Sequence, residues 1–112
     1  MPVIDITTFN ELKEMSGEDY INELIDAFLD DAPDMIRNMR IALEAKDVES
    51  FRRNAHSMKS NAATFGANGL AALAKELEAL GRENKLHETG DRLKALEDAY
   101  ASVCDELKGL KS

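Results

Sequence analysis

The chain has 112 residues, which is enough for one hydrophobic core and too few for two, so a single domain spanning residues 1–112 is expected. Its formal net charge of −8 disfavours nucleic acid and anionic membrane surfaces as partners, because both require clustered Lys and Arg. No apolar run approaches the roughly 20 residues of a membrane span, and no secretory signal pattern is visible. With Cys104 as the single cysteine, these features favour a reducing, cytoplasmic location.

Apolar residues recur every three or four positions and no alternating strand pattern is present, so the sequence predicts an all-α fold. Asp31 is interpreted as an N-cap with Pro33 in the first turn that follows, where a missing N–H costs nothing. Gly66 is interpreted as a left-handed C-cap residue. In chain order, the predicted helices cover about residues 9–15, 16–30, 31–45, 47–66, 68–83 and 91–107.

The helices predicted at 47–66 and 68–83 carry matching apolar stripes. If the chain folds back near residue 67, four pairs of apolar residues face each other in register: Phe65 with Leu70, Ala62 with Leu73, Met58 with Leu77 and Ala55 with Leu80. This register predicts an antiparallel hairpin. Together with the stripes of the other helices, it predicts an antiparallel up-down four-helix bundle with a short extra N-terminal helix. No apolar face is left over, which favours a monomer.

His56 lies on the side of its helix opposite to the apolar stripe and is therefore expected to face water. Lys59 and Ser60 follow it by three and four residues, which places them one turn along the same face. The small residues Ser60 and Ala63 leave a low surface that a large partner could approach. Three further charged residues are expected near the imidazole, two of them one turn earlier and one across the hairpin: Arg52, Arg53 and Glu78.

The segment "AHSMKSNAATFGANGLAALAKELEALGRE" resembles the signature of histidine phosphotransfer (HPt) domains, the helical modules of multistep two-component phosphorelays. The resemblance combines His56, Lys59, a small residue at Ser60 and Gly66 with the helix that follows, and it covers residues 54–83. Many members of that family have glycine where Ser60 stands, and some have glutamine at the position of Glu78.

The resemblance implies that His56 accepts a phosphoryl group from a receiver-domain aspartate and passes it to the aspartate of another receiver. The receivers would belong to response regulators or hybrid sensor histidine kinases. Lys59 would offset the charge of the transferring oxygens, with Arg52, Arg53 and Glu78 as accessory residues. The receiver-docking residues would be small: Ser60, Ala63 and Gly66. The chain would be a phosphocarrier that needs no cofactor of its own, because the receiver supplies Mg²⁺.

Other classes of function have less support in the sequence. There is no glycine-rich phosphate loop for ATP and no metal-ligand spacing, and helix capping accounts for the acidic cluster of Asp30, Asp31 and Asp34. Cys104 lies beside the apolar stripe, as a packing residue would. An acyl carrier would need a "DSL"-type serine, which is missing. The remaining alternative is a phosphorylation-independent adaptor that binds a signalling partner through the same helix face.

Overall fold

The computed structural model describes residues 3–111, and this part of the chain contains five α-helices and no β-strand, which confirms the all-α prediction. No helix among these residues has the length and apolar character needed to span a membrane. A short 3-10 helix at Leu86–Glu88 lies between the last two α-helices. The α-helices are α1 at Ile6–Ser16, α2 at Glu18–Ala45, α3 at Val48–Thr64, α4 at Asn68–Arg82 and α5 at Arg92–Leu110.

Helix α1 begins three residues earlier than the sequence pattern predicts. Its N-cap is Asp5, whose side chain accepts hydrogen bonds from the backbone N–H groups of Thr7 and Thr8 at 3.1 and 3.4 Å. These bonds satisfy donors that every helix start leaves without a helical partner. The helix ends at Ser16, and Gly17, with a φ of +85°, separates it from α2.

Helix α2 corrects the prediction of two helices at 16–30 and 31–45, because it runs unbroken through Pro33. Asp31 is an exposed residue within this helix and not an N-cap. Proline has no N–H, so the carbonyl of Leu29, four residues earlier, loses its helical donor. The hydroxyl of Tyr100 on α5 donates to this carbonyl oxygen at 3.5 Å. A contact from another helix therefore compensates for the proline.

Helices α3 and α4 form the predicted antiparallel hairpin. Helix α3 begins at its predicted cap, Asp47, which accepts from the backbone N–H of Ser50 at 3.1 Å. It ends in a Schellman motif: the N–H of Gly66 donates to Ala63 and the N–H of Ala67 donates to Ala62, with Gly66 at a φ of +79°. The chain reverses at once, because α4 begins at Asn68.

Helix α3 packs between α2 and α4, and α5 packs against both α4 and α2. The α4 face that meets α3 differs in part from the predicted leucine stripe. Leu73 and Leu80 are only half-buried, whereas the small residues Ala74 and Gly81 are buried. Small side chains allow two helices to approach closely, so this face brings α4 near the His56 side of α3. The fully buried core residues on the last three helices include Phe51, Ala55, Met58, Ala62, Ala74, Leu77, Leu96 and Leu107.

Candidate functional site

The imidazole of His56 stands on the outer surface of α3, with 56% of the side chain exposed. Its Nδ1 atom lies 2.6 Å from Oε2 of Glu78 on the neighbouring helix α4. No hydrogen bond from residues 3–111 reaches the other ring nitrogen, Nε2. One nitrogen of the ring is therefore held by the protein and the other is open to a partner.

Glu78 is the centre of the site, although it is a charged residue in a buried position with only 2% of its surface exposed. Its Oε1 accepts a hydrogen bond from Nζ of Lys59 at 2.6 Å, while Oε2 faces His56. Nη2 of Arg82, one turn further along α4, forms a longer ion pair with Oε2 at 3.6 Å. A single carboxylate thus joins three basic side chains from two helices.

The charge state of Glu78 determines the tautomer of His56. Burial raises the pKa of the Glu78 carboxyl. Hydrogen bonds from Lys59 and His56, together with the charges of these residues, lower the pKa by more than burial raises it, so the net pKa lies below the ordinary 4.5. At neutral pH the carboxylate is ionised and can only accept hydrogen bonds. The proton between the two side chains therefore lies on Nδ1, which leaves the lone pair of Nε2 directed outward when the ring is neutral.

We expect Glu78 to make stability depend on pH in the acidic range. Because folding lowers the pKa of this carboxyl below 4.5, its contribution is fully present above that pH and is lost as the pH falls through the folded-state pKa. Urea unfolding from pH 7 to pH 3 would measure it. The difference in unfolding free energy between the wild type and Glu78→Gln should shrink below about pH 4.5. A difference that stays constant with pH would show that the carboxylate is not stabilised in the folded state.

The two arginines that precede His56 lie on the same helix but do not contact Glu78. The guanidinium of Arg52 pairs with Oε1 of Glu49 at 2.5 Å, one turn towards the N-terminus. Arg53 is exposed and forms no ion pair with any residue of the described chain. Both add positive charge to the face of α3 that carries His56, without ordering the ring.

Ser60 and Ala63 are exposed on α3 beyond Lys59, where they leave the surface low. Gly66 does not belong to this surface, which corrects the expectation that it contacts a partner. It is buried, and its carbonyl accepts from the N–H of Asp5 at 2.8 Å. A Cβ atom at this position would lie 2.9 Å from the carbonyl oxygen of Asp5 and 3.0 Å from Cβ of Thr8. The absence of a side chain at Gly66 lets Asp5 and the first turn of α1 pack against this glycine.

Sequence reasoning missed Arg82 as a member of the site. A signal was present, because Arg82 follows Glu78 by four residues and such pairs face each other on a helix.

The other residues considered in the sequence lie outside this site. Asp34 pairs with Arg37 at 2.5 Å, Cys104 is half-buried, and His87 is 76% exposed beside Glu88. Within residues 3–111, no three His, Cys, Asp or Glu side chains are grouped to hold a metal ion.

Comparison with known proteins places this chain in a family. The model of the Hpt domain family matches residues 23–106, which include the whole α3–α4 hairpin. No curated protein matches the chain. The crystal structure of histidine-containing phosphotransfer protein B (HptB) from Pseudomonas aeruginosa PAO1 superposes with a TM-score of 0.91 at 30% identity, over 98% of this chain and 95% of that one. The resemblance seen in the sequence is confirmed: the chain belongs to the Hpt domain family of histidine phosphotransfer proteins, which act as phosphocarriers in phosphorelays.

Proposed function

We propose that this protein is a phosphorelay intermediate that receives a phosphoryl group on Nε2 of His56 from an aspartyl phosphate of one receiver domain and passes it to the aspartate of another. The observation that carries the proposal is the 2.6 Å contact between Nδ1 of His56 and the buried carboxylate of Glu78. This contact keeps the proton on Nδ1, so that the exposed nitrogen is the nucleophile.

In the proposed step, the lone pair of Nε2 attacks phosphorus and forms an N–P bond while the P–O bond to the donor aspartate breaks. The electron pair of that bond stays on the departing carboxylate. The imidazole acquires positive charge as the new bond forms, and the carboxylate of Glu78 lies against its Nδ1–H. Because this negative charge is already in place, it stabilises the ring as the charge develops. Transfer to the next receiver is the same step in reverse.

The cations around the ring would offset the negative charge of the transferring oxygens. Lys59 uses one of the three donors of its ammonium group on Glu78, which leaves two for a phosphoryl group beside the ring. Arg82, Arg52 and Arg53 add positive charge on the same face. An aspartyl phosphate is already activated, so this transfer needs no ATP and no cofactor bound to this chain. The receiver would bring the Mg²⁺ that its own acidic pocket holds.

We further propose that the whole chain is one domain and a monomer, in which α2 to α5 form an antiparallel up-down four-helix bundle and α1 is an additional helix. Ion pairs between α2 and α5 support this arrangement. Asp26, near the start of α2, pairs with Lys111 just beyond the end of α5. Arg40, near the end of α2, pairs with Glu97 near the start of α5. These two pairs require opposite helix directions.

The test is incubation with a receiver domain that carries a radiolabelled aspartyl phosphate. Label should move to this chain, be labile in acid and stable in base, and map to residue 56. A second receiver added afterwards should then take it up. Binding of the receiver without any transfer of label would instead favour the adaptor function.

We expect Ser60→Trp to weaken receiver binding roughly tenfold or more, because an indole at this exposed position would fill the low surface beside His56. Isothermal titration with the receiver would measure the affinity. Ser102→Trp is the matched control, since Ser102 is an exposed serine on α5, away from the α3 face. Equal affinities for the two variants would show that the receiver docks elsewhere.

A further inference from the structure

Gly81 is a buried glycine inside α4, at the point where this helix meets α3. A Cβ atom built on it would lie 3.1 Å from Cβ and 3.3 Å from Cα of Arg52, and 3.4 Å from Cδ1 of Phe51. Nonbonded carbon atoms pack best at about 3.5–4.0 Å. The two helices are therefore closer here than a residue with any side chain would allow without a shift.

This close contact is adjacent to the site. Arg52 lies one turn before His56 on α3, and Gly81 lies one turn after Glu78 on α4. Because the two helices are antiparallel, the contact between Gly81 and Arg52 is next in order to the contact between Glu78 and His56. Both helices are rigid over one turn, so a change of their separation at the first contact reaches the second.

We propose that Gly81 is a positioning residue for the transfer site: its missing side chain lets α4 approach α3 closely enough for Glu78 to hold both His56 and Lys59 at 2.6 Å. The inference rests on the proposed function for its consequence in phosphoryl transfer. Its structural part, the effect of Gly81 on the His56 ring, stands independently of any partner.

Relief of a clash at position 81 has few routes other than separation of the helices. Two of the three crowding atoms are Cα and Cβ of Arg52, which side-chain rotation does not move. The third belongs to the ring of Phe51, which is 0% exposed and packed on all sides. When the helices separate, the long side chain of Lys59 can follow Glu78, but the short side chain of His56 follows less well. The hydrogen bond to Nδ1 then weakens, and the tautomer that carries its proton on Nε2 becomes more populated. In that tautomer the exposed Nε2 has no lone pair with which to attack phosphorus.

The experiment compares substitutions at two glycines of the same helix. Gly69 is exposed, and an added Cβ there meets nothing within 4 Å. Gly81→Ala and Gly81→Val are therefore matched with Gly69→Ala and Gly69→Val, because the gain in helix propensity from removing a glycine is similar at both sites. Two quantities are measured: the tautomer of His56 from its ring ¹⁵N resonances, and the rate of phosphoryl transfer from a labelled receiver.

Gly81→Ala should raise the fraction of the tautomer protonated on Nε2 and slow transfer about threefold to tenfold, with a larger effect for Gly81→Val, because small misplacements of reacting groups are costly. The Gly69 variants should keep the wild-type ring resonances and rate. Adding Arg52→Gly to Gly81→Ala removes the nearest crowding atom and should move the ring resonances back towards those of the wild type.

Ring resonances in Gly81→Ala equal to those in Gly69→Ala would overturn the inference. If Gly81→Val does not fold, the alanine pair still decides the question. Failure of the proposed function is distinguishable, because the wild type would then accept no label while the ring resonances still reported on Gly81.

Discussion

His56→Gln is expected to abolish phosphoryl transfer completely. The nucleophile in the proposed step is the lone pair on Nε2, and the amide nitrogen of glutamine has no comparable lone pair because it is delocalised into the carbonyl. The fold should persist, since the histidine side chain is 56% exposed and glutamine is a good helix former. Glu78 would also keep two basic partners, Lys59 and Arg82. Incubation with a labelled receiver, followed by gel separation, measures the transfer.

His87→Gln is the control for this experiment. His87 is 76% exposed in the short 3-10 helix between α4 and α5, and its Nε2 lies 3.6 Å from Oε2 of Glu88. No buried carboxylate holds its ring, so this variant should accept and donate phosphate like the wild type. Acid-labile label on His56→Gln, with helix content unchanged by circular dichroism, would place the nucleophile on another residue.

The α3–α4 hairpin and the outward position of His56 could be predicted because they depend on local patterns. Apolar residues at helical spacing determine which side of α3 is buried, and the side opposite to that stripe is then exposed. Asp47 caps α3 and Gly66 ends it, so both ends of this helix could be located from the residue types alone. The side that carries His56 follows from these features without tertiary information.

The continuity of α2 could not be predicted, since it depends on a residue 67 positions away from the proline. A proline preceded by Asp31 matches the pattern of a helix start, and local propensity favours a break there. In the folded chain, Tyr100 supplies the hydrogen bond that Pro33 cannot, and the buried faces of Phe28 and Met39 lie on the two sides of the proline. Packing on both sides of Pro33 therefore outweighs the local preference.

The position of Glu78 across the hairpin from His56 could be predicted, but its burial could not. A glutamate is rarely buried unless it is paired, and residue type and spacing do not show whether such partners are present. Its burial follows from the close approach of α3 and α4 and from partners on both helices. Gly66 shows the opposite case, because a glycine ten residues after the histidine could serve a partner or the fold. Only the contact with Asp5 and Thr8 shows that it serves the fold.

Phe65→Ala is expected to lower the free energy of unfolding by about 3–5 kcal/mol, which is the usual cost of deleting a buried phenylalanine ring. Phe65 is 3% exposed at the end of α3, and its ring centroid lies 5.4 Å from that of Phe28 on α2. Phe28 in turn meets Tyr100 of α5 edge-on at 5.8 Å. The substitution would thus leave a cavity where three helices converge. Urea unfolding measures the change, and the melting temperature should fall by about 10–20 °C.

The controls separate the loss of volume from the loss of a hydrophobic residue as such. Met15→Ala removes a side chain that is 85% exposed and should change stability by less than about 0.5 kcal/mol. Phe65→Leu keeps an apolar side chain of similar size and should cost less than half as much as Phe65→Ala, because most of the cavity stays filled. If Phe65→Ala and Met15→Ala cost the same, the convergence of α2, α3 and α5 would not depend on this ring. Because His56 lies more than two turns from Phe65 along α3, the alanine variant should still accept phosphate at temperatures where it remains folded.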